Sequence, residues 1–163
     1  MLFGDVNPSG KLPFTYPRFP NALLTYDRPA YQSAGADFGL KGFQPQFEFG
    51  SGLSYTTFAY TDLTISKTAS VEISVKVTNT GTRTGKETLL LFVAPHVARI
   101  TPPGRRLRRF AKVRLEPGES RALRFRLGPD DFSFFDEQGN LVLEPGKFDI
   151  AIGGLRQTVT VSR

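Results

Sequence analysis

The chain has 163 residues and no cysteine, so disulfides and thiolate metal sites are excluded, while the length allows about two thirds of the unfolded surface to be buried without staples. No apolar run approaches the roughly 20 residues that a membrane-spanning helix needs, and Met1-Leu2-Phe3-Gly4-Asp5 has neither the basic start nor the apolar core of a signal peptide. The net charge of +6 is local: nine of the 21 basic residues and two of the 15 acids lie between Arg105 and Arg126, which predicts one charged face on an otherwise neutral protein.

Residues 1 to about 55 are dense in Pro, Gly and aromatic residues, including Asn7-Pro8-Ser9-Gly10, Pro13, Pro17 and Pro20. Breakers at this density predict an irregular segment with one short strand over Leu12–Tyr16. Yet Phe3, Phe14, Tyr16, Phe19, Tyr26, Tyr31, Phe38, Phe43, Phe47, Phe49 and Tyr55 make it too apolar for a solvated linker. The segment is expected to pack on the following domain or on a partner.

From about Thr57 the period becomes two. Val71, Ile73, Val75 and Val77 alternate with polar residues, as do Leu123, Phe125 and Leu127, then Phe148, Ile150 and Ile152, then Val159 and Val161. Each run predicts a strand with one buried and one wet face. The continuous Leu89-Leu90-Leu91-Phe92-Val93 predicts a central strand covered on both sides. Turn signals such as Asn79-Thr80-Gly81, Pro117-Gly118, Pro145-Gly146 and Gly153-Gly154 separate the runs. Seven to nine short strands with frequent turns predict an all-β sandwich. The only helical expectation is a single turn at Asp130-Asp131-Phe132 after Pro129.

Few residues carry chemistry. The acid pairs Asp130/Asp131 and Asp136/Glu137 sit beside Pro or Gly, and sequence neighbours on a strand diverge, so turn roles are expected rather than a glycosidase pair. His96, the single histidine, lacks a second ligand at metal spacing and is read as a loop residue. Gly52-Leu53-Ser54-Tyr55-Thr56 ends in Thr where a nucleophile elbow needs Gly. Gly50-Ser51-Gly52 lacks the third glycine and the helix of a dinucleotide loop. No cofactor or metal is implied. Arg105, Arg106, Arg108 and Arg109 form the sharpest charge feature. They are candidates for a polyanion or partner-docking patch, and with only Phe110 interleaved, nucleic acid is disfavoured against an acidic partner domain or a solvated strand edge.

Several motifs in order resemble glycoside hydrolase family 3 enzymes. Phe3-Gly4-Asp5-Val6-Asn7-Pro8-Ser9-Gly10-Lys11-Leu12-Pro13 is similar to a segment near the end of that family's second domain. Phe47-Glu48-Phe49-Gly50-Ser51-Gly52-Leu53-Ser54-Tyr55-Thr56-Thr57-Phe58 resembles its FPFGxGLSYTxF junction, with Glu48 and Ser51 in place of the usual Pro and aromatic or His. Val77-Thr78-Asn79-Thr80-Gly81, Leu107-Arg108-Arg109-Phe110, Leu115-Glu116-Pro117-Gly118-Glu119-Ser120 and Glu144-Pro145-Gly146-Lys147-Phe148 are similar to the fibronectin type III-like domain that follows it.

The resemblance implies an immunoglobulin/fibronectin type III-like β-sandwich of about seven strands over 57–163. It makes 1–56 the remnant of the preceding α/β domain plus the junction. It also implies that the nucleophilic Asp and the acid/base Glu of such β-glucosidases or β-xylosidases lie upstream, so no catalytic residue carries over to this chain. The implied partners are the catalytic domains of such a glycosidase, on the same or a separate chain, and a polysaccharide; nucleic acid and membrane are not among them. The expected function is a non-catalytic accessory domain. The alternatives are a subunit completing a separately encoded glycosidase, and an independent carbohydrate-binding or adhesion module. The lack of Trp counts against the last.

Overall fold

The computed structural model describes residues 3–20, 25–28, 45–68, 70–99 and 104–162. Seven long strands build two facing antiparallel sheets: β3 (Phe58–Lys67), β4 (Val71–Asn79), β5 (Gly85–Pro95), β6 (Arg106–Leu115), β7 (Ser120–Leu127), β10 (Gly146–Ile152) and β11 (Leu155–Val161). One sheet has the order β3-β4-β7 and the other β11-β10-β5-β6. Two small ladders complete the described structure, β1 (Tyr16–Pro17) with β2 (Pro45–Phe47) and β8 (Phe134–Phe135) with β9 (Leu141–Val142). The expected helical turn is a 3-10 turn at Pro129–Phe132.

The period-two runs become the core. Val71, Ile73, Val75 and Val77 of β4, with Phe125 and Leu127 of β7, face Leu89, Leu91 and Val93 of β5 and Phe148, Ile150 and Ile152 of β10. Their polar neighbours point outward because successive strand residues alternate. Each buried aliphatic contributes on the order of 1.5–3 kcal/mol through removal from water. The hairpin between β10 and β11 closes through Gly153 and Gly154, with φ of 56° and 85°. A two-residue turn that matches the twist of its strands needs positive φ at both positions, which two glycines supply without steric cost.

One expected strand is displaced. Leu12–Pro13 is not strand: Leu12 N–H donates to Ser51 O at 2.9 Å, and Leu12 O accepts from Gly50 N at 2.9 Å. Pro13 has no N–H to continue a ladder, and pairing resumes only at Tyr16 opposite Phe47.

Two bulges interrupt the sheets. In β3 the register slips between Thr61 and Thr64, with Asp62 at φ 56°. In β6, Leu91 pairs with Arg109 and Phe92 with Leu107, so Arg108 is an extra residue. An extra residue lets neighbours in sequence point to the same side of the sheet.

Candidate interface

The N-terminal segment lies across the outer face of the four-stranded sheet. Asn7 is its hub. Its Nδ2 donates to Thr84 O at 3.0 Å, and its Oδ1 accepts from Ser54 Oγ at 3.0 Å and Tyr55 N at 2.8 Å. Lys112 Nζ donates to Ser9 O, and Lys11 lies 3.7 Å from Glu87. Tyr26 stacks on Phe49 at 4.6 Å between centroids, and both rings meet Phe92 of β5. Gly50 has a φ of 83°, which favours glycine, and a Cβ there would come within 2.7 Å of a Leu90 methyl, which would have to turn aside. β5 is therefore covered on both sides, by the core and by this segment, as its unbroken apolar run predicts. Arg28 holds Glu48 through a two-pronged ion pair at 2.7 and 3.4 Å, which supplies a partner for the acid standing at an otherwise apolar junction.

The other side of the segment carries an aromatic surface. Phe14 and Tyr16 lie 6.3 Å apart and Tyr16 and Phe47 6.1 Å apart, and all three are about half exposed, as is Phe19. Phe3 and Leu53 are almost fully exposed. Contiguous apolar surface of this kind marks contact with another molecule or domain.

The arginine run is divided. Arg105 sits over the Phe92 ring, 4.8 Å from its centroid, on the outer face. The β6 bulge sends Arg108 and Arg109 together toward the end of the sandwich. Arg109 donates to both carboxylate oxygens of Asp131 at 2.7 Å and to Arg126 O at 3.1 Å, clasping β6 to β7 and the 3-10 turn. Arg106 and Arg108 line a slot beside Phe132. Burial, then the neighbouring Arg106 charge, lowers the Arg108 guanidinium below its usual range, yet an arginine stays charged.

The acids have structural partners. Asp131 also accepts from Gly128 N at 2.8 Å. Asp136 accepts from Gln138 N and Asn140 N and closes the turn into β9. These bonds, led by the one from Asn140, hold its carboxyl below the usual range. Asp130 and Glu137 are exposed. His96 pairs with Asp149 Oδ1 at 2.7 Å, the same oxygen that accepts from Thr158 Oγ1. The acid sits between the ring and the hydroxyl, so the three do not form a nucleophile relay.

Sequence reasoning missed two residues on which this arrangement depends. Asn79, fully buried, bonds with Thr56, Gly81, Arg83 and Leu115. Asn7 ties the segment to the loop before β5. Both lie in turn motifs visible in the sequence, Asn-Thr-Gly and Asn-Pro-Ser-Gly, but such motifs signal a turn and not partners 36 to 77 residues away.

The two-sheet topology and its core define an immunoglobulin-like sandwich, and residues 87–155 match the model of the fibronectin type III-like domain. The chain as a whole matches the region of glycoside hydrolase family 3 glycosidases that carries this domain. It is 36% identical to a β-xylosidase of Formosa agariphila and 35% identical to a periplasmic β-glucosidase of Salmonella typhimurium, with 94% of this chain aligned in each case. Among solved structures, a β-glucosidase of Erythrobacter marinus superposes with a TM-score of 0.86 at 36% identity over 98% of this chain. A β-glucosidase of Listeria innocua gives 0.89 at 26% over 99%. The chain spans 22% of the length of each of the two sequence relatives, and 22% and 25% of the two structures.

Proposed function

We propose that this chain is the non-catalytic accessory part of a family 3 β-glycosidase of the β-glucosidase or β-xylosidase type. Residues 57–163 form the buttressing sandwich, and 1–56 complete the adjoining α/β domain and its junction. The observation that carries this reading is the two-sided N-terminal segment. One side rests on the sandwich, with Asn7 bonded to Thr84 O, Phe49 against Phe92 and Gly50 close to Leu90, and the other presents Phe14, Tyr16 and Phe47. Apolar burial at that surface would hold the catalytic domains at a fixed angle to the sandwich, on one chain or between two. The basic residues offer a secondary contact to an acidic domain or polysaccharide.

The test joins or mixes this chain with the barrel and α/β domains of a relative and measures aryl β-glucoside and β-xyloside hydrolysis and thermal stability. Phe14→Ser with Phe47→Ser should lower both in the assembled enzyme and leave the melting of the isolated chain unchanged. The isolated chain should hydrolyse neither substrate. Turnover by the isolated chain, lost on replacing one of its acids, would refute the reading.

A further inference from the structure

Two stretches of the N-terminal segment lie against each other as a short ribbon. Leu12 N–H donates to Ser51 O at 2.9 Å, Gly50 N–H donates to Leu12 O at 2.9 Å, and Tyr16 pairs with Phe47. The aromatic row stands on this ribbon, with Phe14 and Tyr16 from one stretch and Phe47 from the other. A two-stranded ribbon is marginally stable by itself in water, and these strands have only two and three residues. Pro13 and Pro17 also withhold two donors from the ladder. Something beyond the ribbon must fix the row.

The sandwich supplies it from several directions. Asn7 Nδ2 donates to Thr84 O at 3.0 Å, while Asn7 Oδ1 accepts from Ser54 Oγ at 3.0 Å and Tyr55 N–H at 2.8 Å. One side chain thus ties both stretches to the loop before β5. Lys112 Nζ of β6 donates to Ser9 O at 3.0 Å. Tyr26 and Phe49 stack at 4.6 Å and rest on Phe92. Gly104 N–H donates to Asp27 O at 2.8 Å, and Leu107 N–H donates to the Tyr26 hydroxyl at 3.4 Å. None of these contacts uses Phe14, Tyr16 or Phe47, whose rings stay about half exposed. The residues that order the row and the residues it presents are therefore separate sets.

We propose that the sandwich is a template that keeps this ribbon folded before any other domain meets it, with Asn7 as the positioning residue. What the row meets rests on the accessory-domain reading above; the holding of the ribbon does not. A surface ordered in advance docks as a rigid body and avoids the ordering cost of a segment that folds on contact.

Amide hydrogen exchange, followed by NMR on the full chain with no other domain present, reads the template directly. The Leu12, Gly50 and Tyr55 amides should exchange at least about a hundredfold more slowly than in an unfolded chain. Asn7→Ala removes three bonds and should speed all three amides at least about tenfold, with the Val75 and Ile150 amides of the core unchanged. Lys112→Met, at an exposed position, should speed Leu12 by a smaller factor. In the mixture with the barrel and α/β domains of a relative, Asn7→Ala should weaken association by about the factor that it adds to the exchange rate, because the ribbon must then be re-ordered on contact. Unprotected ribbon amides in the chain by itself, or protection and association that Asn7→Ala leaves unchanged, would overturn the proposal. Protected ribbon amides together with no association at all would uphold it and sink the accessory-domain reading instead.

Discussion

Asn79→Ala tests how the sandwich is tied together. Asn79 is fully buried, and its amide uses every site it has. Oδ1 accepts from Thr56 Oγ1 at 2.6 Å and Gly81 N at 3.1 Å; Nδ2 donates to Arg83 O at 2.8 Å and Leu115 O at 3.0 Å. The residue therefore joins the end of β4 to the end of β6 and to the entry of β3. Alanine leaves Leu115 O and the Thr56 hydroxyl without partners in a dry setting, while Gly81 N and Arg83 O are near enough to the surface to recruit water. Two orphaned buried groups at about 1–2 kcal/mol each give a loss of about 3 kcal/mol, or a fall in Tm on the order of 10 °C. Urea unfolding should show a lower midpoint at unchanged slope. Thr56→Val, which removes one of the four bonds, should cost about 1 kcal/mol. Asn79→Asp replaces two donors with acceptors facing two carbonyls and should cost at least as much as alanine. A loss under about 1 kcal/mol for alanine would show that these bonds do not hold the sandwich ends together.

Other substitutions probe separate features. Val75→Asp places an unpaired charge at a fully buried position and should abolish folding; a retained cooperative melt would refute the strand phase. Arg109→Met leaves Asp131 buried without its cation, and since the arginine is partly exposed the loss should be about 2 kcal/mol by denaturant titration. Gly153→Ala sets a Cβ 2.1 Å from the Tyr60 ring at a φ of 56°, so calorimetry should register a loss of about 2 kcal/mol. Asp149 is held below its usual range by hydrogen bonds from His96 and then Thr158. A carboxyl whose folded pKa lies below its unfolded value of about 3.9 stabilises the fold above that pH and loses the contribution as pH falls through the folded value. His96→Ala should therefore flatten the acid limb of the stability profile, and an unchanged limb below about pH 4 would show that the contact has no thermodynamic weight.

Much of the fold was legible because burial and periodicity are coupled. A sheet with one wet face demands alternation, so Val71 to Val77 and Phe148 to Ile152 announced their strands and their inner faces. Leu89 to Val93 announced a strand covered twice, and Gly153-Gly154 announced a hairpin, since few residues adopt those dihedrals. The strand placed at Leu12–Tyr16 fell elsewhere because Pro13 interrupts the ladder and Ser51, 39 positions away, takes the Leu12 N–H.

The arginine run shows the limit most plainly. Residue order alone determined that Arg105, Arg106, Arg108 and Arg109 lie close together along the chain, and their number predicted a charged face. Where each points was decided by the register of β6 on β5, in which one extra residue at Arg108 reverses the alternation. That bulge puts Arg105 on an aromatic ring and Arg106 and Arg108 at an apolar slot, while Arg109, still in step with Leu91, reaches Asp131. Alternation is a local property that a sequence displays. Bulges, partners and the covering of one face by a distant segment depend on which strands meet, and only the folded chain decides that.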